Sequence, residues 1–426
     1  MRVYSTLQRG LVELPSPPTE IGMYVCGPTV YARAHVGNAR PFVVFAWLRN
    51  WLREQGHTVT FVHNITDIND KIYNAAPGHS AELAARATEW YLEDTRDLGL
   101  GEPDAWPKAT ETVEDIVAFI ERLVESGHAY EAGGDVYFRV ASFPEYGRLS
   151  GQRPDQIDVD EDEEPSPLKA DPRDFALWKA TKEGEDTSWP SPWGPGRPGW
   201  HIECSVMAEK ILGPAFEIHG GGLDLVFPHH ENEVAQSRAA GRGFARIWMH
   251  NGMLRFTDEK MSKSLGNVVK IRDALDRWGR EALLVFLLSG HWRKPIDFSE
   301  QTMTEAQARA ERFRDVFRSP SEPESTGAWE RFAVALEDDF NTPAALAVMH
   351  EWRDHELLRR ALAIFGLESL AEEEAAPPEV VELAERRQRA RADREFGEAD
   401  RLREALEAAG WEARDEPEGY RLVRRQ

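Results

Sequence analysis

Gly22-Met-Tyr-Val25, Pro28-Thr-Val-Tyr-Ala-Arg-Ala-His35-Val-Gly37-Asn38, Phe42 to Glu54 and Thr58-Val-Thr-Phe-Val62 are the segments whose reading decides the fold. The first and last are short apolar runs of strand character. Phe42 to Glu54 repeats apolar residues at helical spacing, and Gly56 stands where a C-cap belongs. Strand, glycine-bearing loop, helix and strand within about 40 residues make the βαβ unit of a doubly wound parallel sheet, whose ligands bind beyond the strand carboxyl ends. His35 and Asn38 then stand beside a helix start.

Outward from this unit, Ser80 to Leu98 and Thr112 to Ser126 read as helices, the second opened by a capping box, Thr112-x-x-Asp115. The pattern changes between 128 and 199, with a strand-like Val136 to Val140, an acidic run and a stretch rich in proline, glycine and tryptophan from Trp189 to Trp200. Alternation resumes with a helix at Ile202 to Leu212, a strand at Phe216 to His219, a helix from Pro228 and a strand at Arg246 to His250. Amphipathic helices dominate Glu300 to Leu370, and a basic helix follows Pro377-Pro378. The expected class is α/β: a Rossmann-like catalytic domain with an insertion, then an α-helical bundle and a small C-terminal domain. The expected divisions are 1–127, 128–199, 200–299, 300–376 and 377–426.

The 426 residues carry a formal net charge of -23, 41% hydrophobic and 29% charged residues. No run approaches the roughly 18 to 20 apolar residues that cross a bilayer, so no membrane partner is expected. Two cysteines cannot make a disulfide framework and Met1 to Gly10 lacks an apolar signal core, which suits a cytoplasmic protein. The net charge opposes nucleic-acid binding on average, yet base clusters in Glu385-Arg-Arg-Gln-Arg-Ala-Arg391 and at Arg421 to Arg425.

Three groups of residues carry chemistry. Gly37 allows close backbone approach, while His35 and Asn38 can donate to phosphate oxygens at a helix N-terminus; such a histidine in isolation is more often a cap. Lys260-Met-Ser-Lys263-Ser264-Leu-Gly266-Asn267 suits a clamp on a triphosphate, with Lys263 meeting charge as pyrophosphate leaves; in isolation it reads equally as a solvated loop. His229 and Glu233, at i and i+4, share a helical face, and with the thiols of Cys26 and Cys204 they would suit Zn2+. His230 could equally supply the nitrogen, and two inert buried cysteines are the plainer reading of composition.

Together the first two motifs resemble the HIGH and KMSKS signatures of class I aminoacyl-tRNA synthetases. Met23-Tyr-Val-Cys26-Gly-Pro-Thr-Val-Tyr31, Asn64-Ile-Thr-Asp67, Gly199-Trp-His-Ile-Glu-Cys204, His219-Gly-Gly-Gly222-Leu-Asp224, Phe227-Pro-His-His-Glu-Asn-Glu233 and Phe396-Gly-Glu-Ala-Asp400-Arg-Leu-Arg403 resemble, more specifically, the cysteinyl-tRNA synthetase family. The blocks fall in that family's order over nearly the whole chain. Asn38, in place of the second HIGH histidine, departs from the pattern and keeps a neutral donor there.

The resemblance implies ATP, L-cysteine and tRNA(Cys) as partners, Mg2+ accompanying ATP, one Zn2+ per chain and a monomeric enzyme. It implies that Cys26, Cys204, His229 and Glu233 hold the zinc, which accepts the substrate thiolate by expanding its coordination. It assigns Gly27, Thr66, Trp200 and His219 to the amino-acid pocket. His35, Gly37, Asn38, Gly222, Asp224 and Lys263 fall to ATP, with His35, Asn38, Lys260 and Lys263 catalytic. Arg391, Asp400 and Asp415 fall to the anticodon. A relative that joins cysteine to a small amine would have no use for the basic tail, and a catalytically dead binder would have broken nucleotide motifs.

Overall fold

A computed structural model describes residues 1–152, 166–256, 269–324, 326–372, 376–416 and 419–424. The described chain divides into two compact units, Met1–Glu368 and Ser369–Gln426.

The first unit opens with an antiparallel hairpin, β1 (Arg2–Ser5) and β2 (Gly10–Glu13), and then enters a parallel sheet at β3 (Glu20–Val25). Helix α1 (Val36–Glu54) leads to β4 (Thr58–His63), which pairs parallel with β3. Helix α1 begins earlier than its apolar pattern suggests, because Gly37, Asn38 and Pro41 are poor helix formers that mask its first two turns. Tertiary packing overrides them: Phe42, Phe45, Trp47, Leu48 and Trp51 are all buried. Helices α2 (Asp70–Ala75), α3 (Ser80–Asp97) and α4 (Val113–Glu125) follow. The capping box expected at Thr112 does not form. Its hydroxyl donates back to the carbonyls of Lys108 and Ala109 at 3.2 and 3.1 Å, ending the preceding 3-10 turn.

The segment 128–199 carries its own antiparallel sheet: β5 (Ala129–Ala132), β6 (Asp135–Phe138), β7 (Phe175–Ala180) and β8 (Gly196–Pro198), in that order. The chain then returns through α5 (Trp200–Leu212), β9 (Ala215–Gly222), α6 (Glu231–Ala239) and β10 (Phe244–Asn251). The α-helix expected from Pro228 starts at Glu231, after a π turn over Val226–His230.

All four strands of the main sheet are parallel, in the order β10-β9-β3-β4. From β3 the chain winds one way to β4, and on return it winds the other way through β9 and β10. The order reverses between β3 and β9, so loops leaving their carboxyl ends diverge and open a crevice there. Cys26 follows β3, and Gly222 ends β9.

Strands β11 (Leu254–Phe256) and β12 (Ile296–Phe298) pair beside helices α7 (Ile271–Trp278) and α8 (Arg280–Leu288). Helices α9 (Glu300–Arg318), α10 (Ala328–Glu337), α11 (Thr342–Glu351) and α12 (His355–Ile364) complete the unit around buried Phe313, Phe332, Trp352 and Phe365. The second unit holds α13 (Pro378–Ala392), α14 (Phe396–Ala408) and the hairpin β13 (Trp411–Glu416) and β14 (Gly419–Arg424). Pro378 begins α13, where its missing N–H costs nothing.

Candidate active site and metal centre

At the switch point lies a cavity of about 710 Å³, lined by residues that include Cys26, His35, Asn38, Trp200, Gly222 and Asp224. Its floor is shaped by close backbone approach. A Cβ at Gly27 would stand 1.7 Å from the Asn64 carbonyl oxygen, so no side chain fits where the ends of β3 and β4 converge. The Gly27 N–H is itself held, donating to Asn64 Oδ1 at 2.8 Å.

His35 is the N-cap of α1. Asn38, three residues on, accepts from the His35 N–H through Oδ1 at 3.1 Å, which leaves its amide NH2 to face the cavity. The departure from the second HIGH histidine thus has a local physical role: the amide ties off the helix end and retains a donor. His35 Nδ1 has no hydrogen-bond partner, and burial holds the ring below the usual histidine range, partly offset by the Asp224 carboxylate. At neutral pH His35 is therefore a neutral donor or acceptor beside a helix N-terminus. On the facing wall, a Cβ at Gly222 would meet Asp224 Oδ1 at 2.2 Å, so glycine there makes room for the carboxylate.

Beneath this cavity lies a dry cluster of metal-binding atoms. Cys26, Cys204, His229 and Glu233 each offer one atom, all within 4.8 Å of one another, and all four are buried. Cys26 Sγ is 3.5 Å from both Cys204 Sγ and Glu233 Oε1, and His229 Nε2 is 3.2 Å from Glu233 Oε1. Cys26, His219, His230 and Glu233 meet the same criterion, sharing one thiol and the carboxylate with the first set. Burial pushes both thiols above their ordinary range and both His229 and His230 well below theirs. Neutral imidazoles suit metal ligation, and the thiols need a cation to ionise.

An imidazole lattice orients these ligands. His229 Nδ1 meets His201 Nδ1 at 3.1 Å, and its ring stacks on Trp200 with centroids 4.1 Å apart. This directs His229 Nε2 toward Glu233. His219 Nε2 lies 2.8 Å from Glu233 Oε2 and stacks on Trp248. His230 contacts Cys26 Sγ at 3.3 Å and His250 at 2.8 Å, and His250, held down to about 3 by burial, contacts the Thr6 hydroxyl.

The structure gathers the described residues assigned to nucleotide, amino acid and metal around the cavity and the cluster. Trp200 and Gly27 face the cavity, whereas Thr66 and His219 lie fully buried behind its wall. Thr66 accepts from Asn64 Nδ2 at 3.2 Å. Lys260 and Lys263 lie outside the described residues. The chain just after them, Val269 to Ile271, pairs antiparallel with Ala34 to Val36: Val36 N–H donates to Val269 O at 2.9 Å and Ile271 N–H to Ala34 O at 3.0 Å. In the second unit, Arg391 forms an ion pair with Asp415, which Arg387 also contacts at 3.1 Å, so these two expected base contacts are partners of each other. Asp400 is exposed on α14, 3.6 Å from Arg403.

Sequence reasoning missed Asn251 to Leu254, which line the cavity from the end of β10 to the start of β11, and Arg40 of α1. Arg40 is 1% exposed, and its guanidinium donates to the carbonyls of Gly252, Met253, His291, Trp292 and Lys294. A glycine directly after a strand, as at Gly252, was a usable signal for the first group. Nothing in the local pattern points to Arg40.

The model of the tRNA synthetases class I (C) catalytic domain matches residues 13–308, and that of the DALR domain matches residues 331–367. The parallel sheet with a crevice at its switch point, the histidine at the first helix start and the first of these matches together place the chain among class I aminoacyl-tRNA synthetases. A curated cysteine–tRNA ligase of Halorhodospira halophila is 45% identical over 96% of both chains. That of Alkalilimnicola ehrlichii is 46% identical over 95% of both. Among solved structures, Mycobacterium tuberculosis methionyl-tRNA synthetase in complex with methionyl-adenylate shares the fold, with a TM-score of 0.59 at 15% identity over 82% of this chain and 88% of that one. The chain belongs to the cysteine–tRNA ligase family. Among the described residues no helix is long and apolar enough to cross a membrane.

Proposed function

We propose that the chain activates L-cysteine with ATP to cysteinyl-adenylate and pyrophosphate, then transfers cysteine to the 3′-terminal adenosine of tRNA(Cys), with zinc selecting the substrate thiolate. The observation that carries this reading is the buried cluster of Cys26, Cys204, His229 and Glu233 against the wall of the cavity. The donor set fits zinc. Tetrahedral bonds of about 2.3 Å to sulfur and 2.0 to 2.1 Å to nitrogen or oxygen imply ligand–ligand edges of roughly 3.3 to 3.8 Å. The observed separations, 3.5 Å from Cys26 to Cys204 and 3.2 Å from His229 to Glu233, are a little shorter than those edges, so an ion would spread the ligands by a few tenths of an ångström.

Bound there, zinc supplies a soft Lewis acid that takes a thiolate in preference to the hydroxyl of serine, a discrimination beyond the roughly 10 to 200-fold that a hydrophobic pocket provides. The chain's own residues do the rest. Trp200, stacked on His229, closes the amino-acid end of the cavity. Thr66 and His219 act from behind the wall, His219 by holding Glu233 Oε2. Cysteine carboxylate attacks the α-phosphorus in line, and no protein nucleophile is needed. His35, Asn38 and the lysines of 260 and 263 meet the charge that develops on the phosphates, with Mg2+ accompanying ATP. Gly37 lets the triphosphate approach the helix end, Gly222 makes room on the adenosine side, and Asp224 accepts from ribose hydroxyls. Arg391, Asp400 and Asp415 read the anticodon, which requires the Arg391–Asp415 pair to exchange its partners for bases. The five-part division of the chain and a cytoplasmic, monomeric enzyme complete the reading.

The test is metal analysis together with cysteine-dependent ATP–pyrophosphate exchange. About one zinc per chain and exchange with cysteine but not serine are expected. Exchange by metal-free protein at the full rate would sink the zinc assignment. Lys263→Ala with unaltered exchange would remove the lysine from the mechanism.

A further inference from the structure

Outside the metal cluster, one buried ionic node stands apart from ordinary surface pairing. Asp94, near the end of α3, has a side chain with 0% exposure. Its Oδ1 accepts from Arg33 NH1 at 3.0 Å and from Arg272 Nε at 3.2 Å, and its Oδ2 has no hydrogen-bond partner. Arg33 lines the cavity two residues before His35, whereas Asp94 does not reach the cavity. Arg272 is in the first turn of α7, directly after the Val269 to Ile271 segment that pairs with Ala34 to Val36. Glu93 and Asp97 bind the outer sides of the two guanidiniums at 3.0 and 2.6 Å.

Helix energetics do not explain these placements. An arginine in the first turn of α7 opposes that helix's dipole, and Glu93, Asp94 and Asp97 at the C-terminal end of α3 oppose theirs. Asp273 and Arg96 answer the same two dipoles favourably, so it is Arg272, Asp94 and Asp97 that helix energetics leave unexplained. The two arginines would also repel each other without the carboxylate between them. The arrangement makes sense only as a tertiary connection. It fastens the strand-like segment bearing His35 to the segment that follows Lys260 and Lys263 in sequence.

We infer that Asp94 and Arg272 are positioning residues for adenylate formation: the carboxylate sets the distance between the histidine segment and the exit of the lysine segment, through Arg33 and Arg272. The inference rests on the site reading above, because it assumes that both segments act on the triphosphate. Both arms must be held for their donors to meet one transition state, and misplacement of about 1 Å can cost 100-fold in rate.

The experiment is steady-state ATP–pyrophosphate exchange on the full zinc-loaded chain for Arg272→Gln, Arg272→Lys and Asp94→Asn, with melting curves on the same samples. Arg272→Gln should lower kcat about 10 to 100-fold while KM for cysteine stays within about twofold, because the amino-acid end is untouched. Arg272→Lys keeps the positive charge but not the fork that reaches both Asp94 and Asp97, so it should recover part of the rate, about threefold or more above Arg272→Gln. Arg272 is partly exposed and Arg33 still pairs Asp94 in its absence, so its variants should lose less stability than Asp94→Asn, which the melting curves report. A folded Arg272→Gln protein with parental kcat overturns the inference, and so does an Arg272→Lys protein as slow as Arg272→Gln. A parent protein without cysteine-dependent exchange would instead overturn the functional reading.

Discussion

Charged and polar groups meet in two regions under opposite conditions. Below the cavity, two thiols, a carboxylate and several imidazoles are packed with almost no exposure; burial first, and the neighbouring ionisable groups after it, move both thiols up and His229, His230 and His250 down. In the second unit, Asp415 is 49% exposed and pairs with Arg387 and Arg391 in water. Desolvation is the largest single influence and raises it, but the hydrogen bonds and charges of the two arginines together outweigh that and hold it below the usual carboxylate range. Where water is excluded, each group depends on a partner of the right charge, and one change unbalances all of them. Where water is present, it screens the pair and can replace either member, which suits a surface that must release its own partners to bind something else.

The largest expected effect breaks the buried side outright. Cys204→Ser should lose zinc from the purified protein and lower kcat/KM for cysteine by more than about 100-fold, since even outer partners of a metal are worth about 10 to 100-fold. Parental zinc content with parental exchange would contradict it.

Burial of a single cation should weigh nearly as much without any metal. Replacing Arg40 by methionine leaves five carbonyls short of a donor, at a cost of about 3 kcal/mol in unfolding free energy. Chemical denaturation measures it, and a change below about 1 kcal/mol would show that water already reaches these acceptors.

His219→Ala removes the contact to Glu233 Oε2 and leaves all four proposed ligands in place. Chelator competition should show a 10 to 100-fold weaker metal. Unchanged affinity would favour a carboxylate held by the metal alone.

The smallest effect belongs to the exposed side. Asp415→Asn should cost less than about 1 kcal/mol of stability. Because the folded pKa is depressed, whatever the pair contributes is present above the ordinary carboxylate range and fades as pH falls through the folded value. Exchange, which needs no tRNA, should remain within about twofold of the parent, while acylation of tRNA(Cys) falls. Equal losses in both assays would sink the anticodon assignment.

Much of the site was legible because its motifs are local. His35 and Asn38 lie on one turn of α1, and His229 and Glu233 keep their i, i+4 relation although a π turn replaces the expected first turn of helix. The capping box at Thr112 failed because a hydroxyl has several backbone acceptors within reach and the preceding 3-10 turn offered nearer ones. Thr66 and His219 were assigned to the pocket by the resemblance alone; the structure buries both outside the cavity lining, His219 against Glu233 Oε2, a placement that depends on distant segments packing together and that no short motif carries.

By itself, the sequence determined the alternation of strands and helices, the interruption at 128–199, the donor types available for a metal and the basic character of α13. These follow from period, composition and short spacing, which act over one or two turns of chain. The tertiary structure decided what depends on distant segments meeting. It chose the strand order that opens the crevice and brought Cys26 against Cys204. It buried Arg40 among five carbonyls and set Asp94 between two arginines from opposite ends of the catalytic unit. Those contacts join residues tens to hundreds of positions apart, and only exclusion of water at a particular place in the packed fold makes them strong.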